Sequence, residues 1–284
     1  MKIARDKFKN FILLIPLVGG IALADSYSIG AKWLDSTLKY NVKDPDRKLE
    51  AELEFPAKTL AVVLGYKYDM QVGSLSFSAE HSIFSDDQKG KDTDWYEGEK
   101  TVYSESSTEL DKYYRLMIAY DYPLLESTNI GLELFHEKWE MTWSDTKQTN
   151  YYNNRYTEIS GSSVKYQQEL DGARIYLGYK NDLFTIPCYV SAGYEIVYID
   201  SKDEHLLRSF YTESQDWIDG YYFDLTVELF HYKSSILTIT GSYRKIEGDT
   251  DMDFYHDSGE KYMSLPANYE TVIKSLELQY TYQF

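Results

Sequence analysis

The chain ends Leu276-Glu277-Leu278-Gln279-Tyr280-Thr281-Tyr282-Gln283-Phe284. In an extended backbone successive side chains point to opposite faces. Leu276, Leu278, Tyr280, Tyr282 and Phe284 therefore share one face, and Glu277, Gln279, Thr281 and Gln283 share the other. A membrane-crossing strand with lipid on one side and an aqueous lumen on the other demands this alternation. A strand of a soluble β-sandwich has the same period, but a chain that ends on such a strand, with an aromatic as its last residue, fits a membrane barrel better. The terminal Phe284 resembles the signal read by the barrel-assembly machinery.

The same period recurs upstream. Tyr221, Phe223, Leu225, Val227 and Leu229 interleave with Tyr222, Asp224, Thr226 and Glu228. Val190, Ala192, Tyr194, Ile196 and Tyr198 interleave with Ser191, Gly193, Glu195 and Val197. Ten strands are expected, over 26–42, 47–69, 73–84, 110–124, 129–145, 162–181, 184–202, 215–232, 235–247 and 269–284. The number is even, as bacterial single-chain barrels require. Tight turns fall near Gln71, Glu126 to Thr128, Asp182 and Lys233-Ser234. Polar stretches at 85–109, 146–161, 203–214 and 248–268 make the loops of the opposite rim, where only the connection near Asp44 to Asp46 is short. Short periplasmic turns and long extracellular loops characterise outer-membrane barrels. The expectation is an all-β, ten-stranded antiparallel transmembrane β-barrel over residues 25–284. Its strands exceed the about 9–11 residues that cross a bilayer, so the barrel should project above it.

Residues 1–24 read as an export signal. Lys2, Arg5, Lys7 and Lys9 precede an apolar run from Phe11 to Ala24, which ends in the small-x-small site Ala22-Leu23-Ala24. The run is shorter than the about 20 residues of a spanning helix. The expected location is the outer membrane, with the long loops outside. Tyrosine, at 29 of 284 residues, suits strands and membrane interfaces. The single cysteine, Cys188, excludes an internal disulfide framework or a Cys-rich metal site. The net charge is −17, and residues 1–24 carry four bases against one acid, so the exported chain stands near −20. Such a chain is a poor partner for nucleic acid and favours cationic ligands or substrates, although a well-solvated acidic surface explains the charge equally well.

Two motifs fall where chemistry can use them. Asp92-Thr93-Asp94-Trp95 lies after the third expected strand, and Asp203-Glu204-His205 lies after the seventh. Both strands run outward, so both motifs are expected on one extracellular rim. A carboxylate two residues from an imidazole shares its face of a strand and can orient the ring. Asp92 and Asp94 repel one another, which favours a proton on one of them. An aspartate couple facing a His–Asp dyad can hold and deprotonate a water molecule.

With these two motifs the chain resembles the omptins, ten-stranded outer-membrane endopeptidases that carry Asp-x-Asp-Trp in the second outer loop and Asp-Glu-His at the top of strand seven. Tyr166-Gln167-Gln168, Gly248-Asp249-Thr250 before Tyr255, Glu137 and the final strand add weaker likenesses. The resemblance implies hydrolysis of peptide bonds by a water held between Asp92 and His205, with Asp203 orienting His205 and Asp94 completing the couple. Catalytic roles thus fall to Asp92, Asp94, Asp203 and His205. It also implies substrate contacts at Ser201 and Glu137, and bound lipopolysaccharide, required for activity in the family, gripped by Lys138 and Lys180. The partners implied are a peptide or protein substrate and the outer-membrane lipid, with no metal or other cofactor.

The chain departs from the family in places. The stretch Val102 to Glu109 keeps only Ser106 of the family's Trp-Thr-Asp-x-Ser-x-His-Pro. The acids with which omptins select basic residues correspond here to Thr37 or Leu38 and to Ser201. Trp139 stands where the family has a lipid-binding arginine. Asp249, Asp251, Asp253 and Glu260 fit a calcium-loop spacing, but Phe254 occupies the position that needs glycine, so a solvated acidic loop is the reading. His81, His136, His231 and His256 lack ligand spacing, and Cys188 reads as a packed thiol. The rival readings are a non-enzymatic barrel, either pore or adhesin, and an omptin-like barrel with lost or altered activity.

Overall fold

The computed structural model describes residues 25–183 and 186–284; the expected signal peptide at 1–24 lies outside them. Every regular element is a strand: β1 (Ser26–Asp44), β2 (Leu49–Asp69), β3 (Ser74–Asp86), β4 (Gln88–Tyr96), β5 (Glu99–Leu125), β6 (Thr128–Asn150), β7 (Arg155–Leu183), β8 (Ile186–His205), β9 (Phe210–Tyr232), β10 (Ser235–His256) and β11 (Lys261–Gln283). Neighbours pair antiparallel, and β1 pairs with both β2 and β11, which closes the sheet into a ring without edges. β3 and β4 lie end to end between β2 and β5, interrupted only at Asp87. The eleven strands therefore occupy ten positions around a transmembrane β-barrel, the number the period-two pattern predicts.

The outer loops are shorter than expected, because the strands run on as hairpins. The stretch 85–109, expected as a loop, holds β4 and the start of β5, joined by Glu97-Gly98 with φ of 52° and 82°. That pair of left-handed residues makes the two-residue turn whose twist suits a hairpin. The stretches 146–161, 203–214 and 248–268 likewise shrink to residues 151–154, 206–209 and 257–260. The sequence hid these extensions for a physical reason. Above the membrane both strand faces are polar, as with Ser104, Ser106 and Thr108 inside and Glu105 and Glu109 outside, so the period has no apolar contrast to mark it. The Asp249, Asp251, Asp253 and Glu260 series lies in the β10–β11 hairpin, in extended chain and not in a coiled ligand loop.

Toward the short-turn end, Leu132, Ile175, Leu177, Ile196, Phe223, Leu225, Leu276 and Leu278 are exposed on the outer wall. A continuous apolar belt of this size is a lipid-facing surface. Inside the barrel at this level lies a tier of buried charges. Arg244 donates to Glu195 at 2.7 Å and to Glu137 at 2.7 Å. Arg174 donates to Glu195 at 3.0 Å, Arg115 to Glu133 at 2.7 Å, and Lys32 to Glu80 at 2.8 Å. Buried charges persist only when paired in this way. Above them a second tier, built from Leu34, Leu38, Phe55, Trp139, Leu170, Ile199 and Ile246 among others, fills the lumen with apolar side chains. A ring of ten strands is narrow enough for its own side chains to fill it. The candidate site rests on this packed floor.

Candidate active site

Ser201, Asp203 and His205 alternate along the last turn-free stretch of β8, so all three face inward at its outer end. His205 Nε2 lies 3.6 Å from Asp203 Oδ2, a separation longer than a hydrogen bond. The Tyr40 hydroxyl of β1 donates a short hydrogen bond to the same oxygen. Oδ1 of Asp203 is buried and meets no donor among the described residues. The Phe210 ring stacks on the His205 ring at 4.3 Å and 21°.

Asp92 and Asp94 face inward from β4, the half-strand beyond Asp87. Gly90 precedes Asp92 by two residues on the same face. A Cβ there would come within 2.3 Å of Trp143 Nε1 and 2.5 Å of Thr108 Oγ1, so only glycine lets Trp143 pack directly beneath the couple. Trp143 in turn stacks on Phe55 at 4.6 Å, and Phe55 on Tyr166 at 4.2 Å. Tyr40 meets Tyr166 at 6.1 Å and Tyr269 at 5.6 Å. These rings form an aromatic floor under all four candidate groups.

The four groups share one electrostatic environment above the membrane belt. Burial and the neighbouring Asp94 push Asp92 up to about 7, with Asp203 adding to the rise. Burial raises Asp94 as well. Burial pushes Asp203 up to about 7 against the Tyr40 hydrogen bond, and burial together with Arg208 pushes His205 down to about 3. Asp203 thus acts on Asp92, and Asp94 on His205, across the barrel mouth. Loss of hydration favours the neutral form of each group. At neutral pH His205 is an uncharged base, and Asp92 and Asp203 stand near their midpoint.

The structure brings Asp92, Asp94, Asp203 and His205 together and places Ser201 one step deeper on the same strand. Ser201 Oγ donates to the Tyr269 hydroxyl at 2.7 Å. Glu137, expected beside the substrate, lies instead in the charged tier, where Arg244 and the Trp139 indole occupy its two oxygens. Lys138 faces outward above the apolar belt and pairs with Glu140 at 2.6 Å and Glu169 at 3.4 Å. Lys180 lies at the other end, its N–H bonded to the Ser127 carbonyl of the β5–β6 turn. The two lysines expected to contact lipopolysaccharide therefore lie at different heights on the wall.

Three neighbours of the dyad escaped the sequence reading. Tyr40 is 163 residues from Asp203, and only ring closure joins them. Phe210 opens the strand after the dyad and carries no polar signal. Arg208 was more legible: it is the sole arginine or lysine between Asp203 and Ser214, and its charge acts on all four candidate groups.

The class that this architecture defines is the closed antiparallel β-barrel of the outer-membrane type. Among solved structures, the chain is similar to the outer-membrane protease OmpT from Escherichia coli, with 13% identity and a TM-score of 0.78 over 94% of this chain and 99% of that one. At this identity the likeness shows the shared fold alone. Weaker matches are the translocator domain of the autotransporter NalP from Neisseria meningitidis and the outer membrane protein OprG from Pseudomonas aeruginosa. Their TM-scores are 0.43 and 0.39, with identities of 8% and 12%. The first match covers 100% of this chain and 97% of the other, and the second 92% and 98%. No family model matches the sequence, and comparison with curated proteins finds no match.

Proposed function

We propose that this barrel is an endopeptidase of the omptin type, exported by way of its first 24 residues and seated in the outer membrane with the His205 end outside. The observation that carries the reading is the meeting of Asp92 and Asp94 from β4 with Asp203 and His205 from β8, on opposite walls of one mouth. A water held between Asp92 and His205 attacks the peptide carbonyl carbon. Neutral His205 takes the water proton, and the imidazolium so formed is stabilised by Asp203, held in place by Tyr40. The same proton then passes to the leaving amide nitrogen as the C–N bond breaks. The raised Asp92–Asp94 couple supplies the proton-bearing carboxyl that donates to the carbonyl oxygen as negative charge develops there and takes the proton back as the C=O bond re-forms and the C–N bond breaks.

A pore is the main rival. The ion-pair tier and the apolar tier beneath the site support a sealed lumen over a conducting one. Lipopolysaccharide is proposed as an activating lipid, contacted near Lys138. The test is a cleavage assay. The barrel refolded in detergent, with lipopolysaccharide added, is incubated with a mixed peptide library beside the His205→Ala form, and products are read by mass spectrometry. Cuts made only by the unaltered protein are expected. A folded barrel that cuts nothing would turn the assignment to a binding protein on this scaffold.

A further inference from the structure

We infer that the residues flanking the bond cut here are uncharged, aromatic or aliphatic, and that lysine and arginine are disfavoured there; the inference rests on the endopeptidase reading above. The lining of the mouth next to the dyad carries it. Directly below Asp203, Ser201 and Tyr269 satisfy each other, and Tyr166 donates to Gln168, which donates to Thr271 at 3.1 Å. No carboxylate is present in this set. A lysine or arginine side chain lowered onto it would lose its water and gain no counter-ion from the floor itself, and the carboxyls above it are raised toward their neutral forms.

The side wall has the same character. From His205 an aromatic series runs through Phe210 to Phe254 at 6.2 Å and on to Tyr262 at a further 6.2 Å. Met252 is buried beside it, and Leu265 packs against the same cluster. Thr212, Ser214 and Thr250 are buried on the same wall, with Ser214 and Thr250 hydrogen-bonded at 2.8 Å. Glu204 and Asp253, which interleave with the inward residues of their strands, point the other way. Glu204 pairs outside with Lys202 at 2.8 Å, and Asp253 with Lys261 at 2.6 Å. These two acids are thus neutralised on the outer wall and add nothing to the side wall of the cleft. Arg208, in the 206–209 turn with its N–H on the His205 carbonyl at 3.0 Å, adds a positive charge over the mouth, which opposes a cationic side chain entering beside it.

The inference is tested with the refolded full-length barrel in detergent and lipopolysaccharide, using two peptide sets identical except at the central pair, Phe-Leu in one and Arg-Arg in the other. The Phe-Leu set should be cut faster by about tenfold or more, the scale on which a pocket of the wrong polarity discriminates. Ser201→Asp places a carboxylate on the floor and should shift the ratio toward Arg-Arg by about tenfold. His205-dependent cutting that favours Arg-Arg in the unaltered protein overturns this inference and leaves the protease reading standing. No His205-dependent cutting of either set overturns both. A Ser201→Asp variant that fails to fold leaves the comparison in the unaltered protein decisive.

Discussion

The Tyr40 hydroxyl and the Asp203 carboxylate are joined across the ring, β1 to β8, at the one oxygen that also faces His205. The bond stabilises the ionised form of Asp203 and opposes the effect of burial. Tyr40→Phe removes the donor, so the Asp203 pKa rises further. The charged carboxylate that supports the imidazolium is then present only at higher pH. Cleavage should fall about tenfold near pH 7, the equivalent of roughly one lost hydrogen bond to a charged group. The acid limb of the pH–rate profile should move upward. A purely structural role for Tyr40 would lower the rate at every pH without moving that limb.

Asp92 has a stability consequence of definite sign. Its folded pKa, about 7, lies above the about 4 of an unfolded aspartate. Between those values the folded state binds more protons than the unfolded one, so this group's contribution to stability declines as pH rises from about 4 to about 7. Asp203 acts in the same sense, and His205, shifted downward, acts in the opposite sense between about 3 and 6.5. Asp92→Asn should therefore stabilise the barrel at pH 8 by on the order of 1–3 kcal/mol and have little effect at pH 4. Urea midpoints followed by tryptophan fluorescence at the two pH values check this. Equal midpoint shifts at pH 4 and pH 8 would exclude the titration argument.

Arg208 lowers all four groups of the site. Arg208→Ala should raise them together and move the pH optimum of cleavage upward, by less than about one unit, because an exposed cation is well screened. High salt should reproduce part of the shift in the unaltered protein. An optimum that stays put in the variant would remove Arg208 from the electrostatics of the site.

Glu195 accepts from both Arg174 and Arg244 in the charged tier. Glu195→Ala leaves two guanidinium groups buried without that partner, at a cost of about 3–5 kcal/mol, read as a lower urea midpoint. The unaltered barrel should show no stepwise current in a planar bilayer, because the apolar tier lies above these charges. Regular conductance steps would contradict a sealed lumen.

Much of this was legible in the chain itself. The alternation from Leu276 to Phe284 is enough to name a barrel strand, and Asp203 and His205 share a face by spacing alone. The hairpin extensions were not legible, since Ser104, Ser106 and Thr108 alternate with residues no less polar than themselves. The charge of Lys180 says nothing of its height on the wall, which the end of β7 at Leu183 sets. Glu137 looked like a site residue, yet its partner Arg244 is 107 residues away, a separation that no local pattern reports. Tyr40 was hidden by the same long separation.

The two filled tiers beneath His205 make the barrel a cup and not a tube. Nothing can be threaded through it, and whatever enters must leave by the rim it came in by. A polypeptide of any length can then be presented only as a loop or strand draped across the mouth, dipping a few residues toward the aromatic floor while both ends trail outside. On the endopeptidase reading, such a vessel would have no use for a free terminus and would favour segments that can sag.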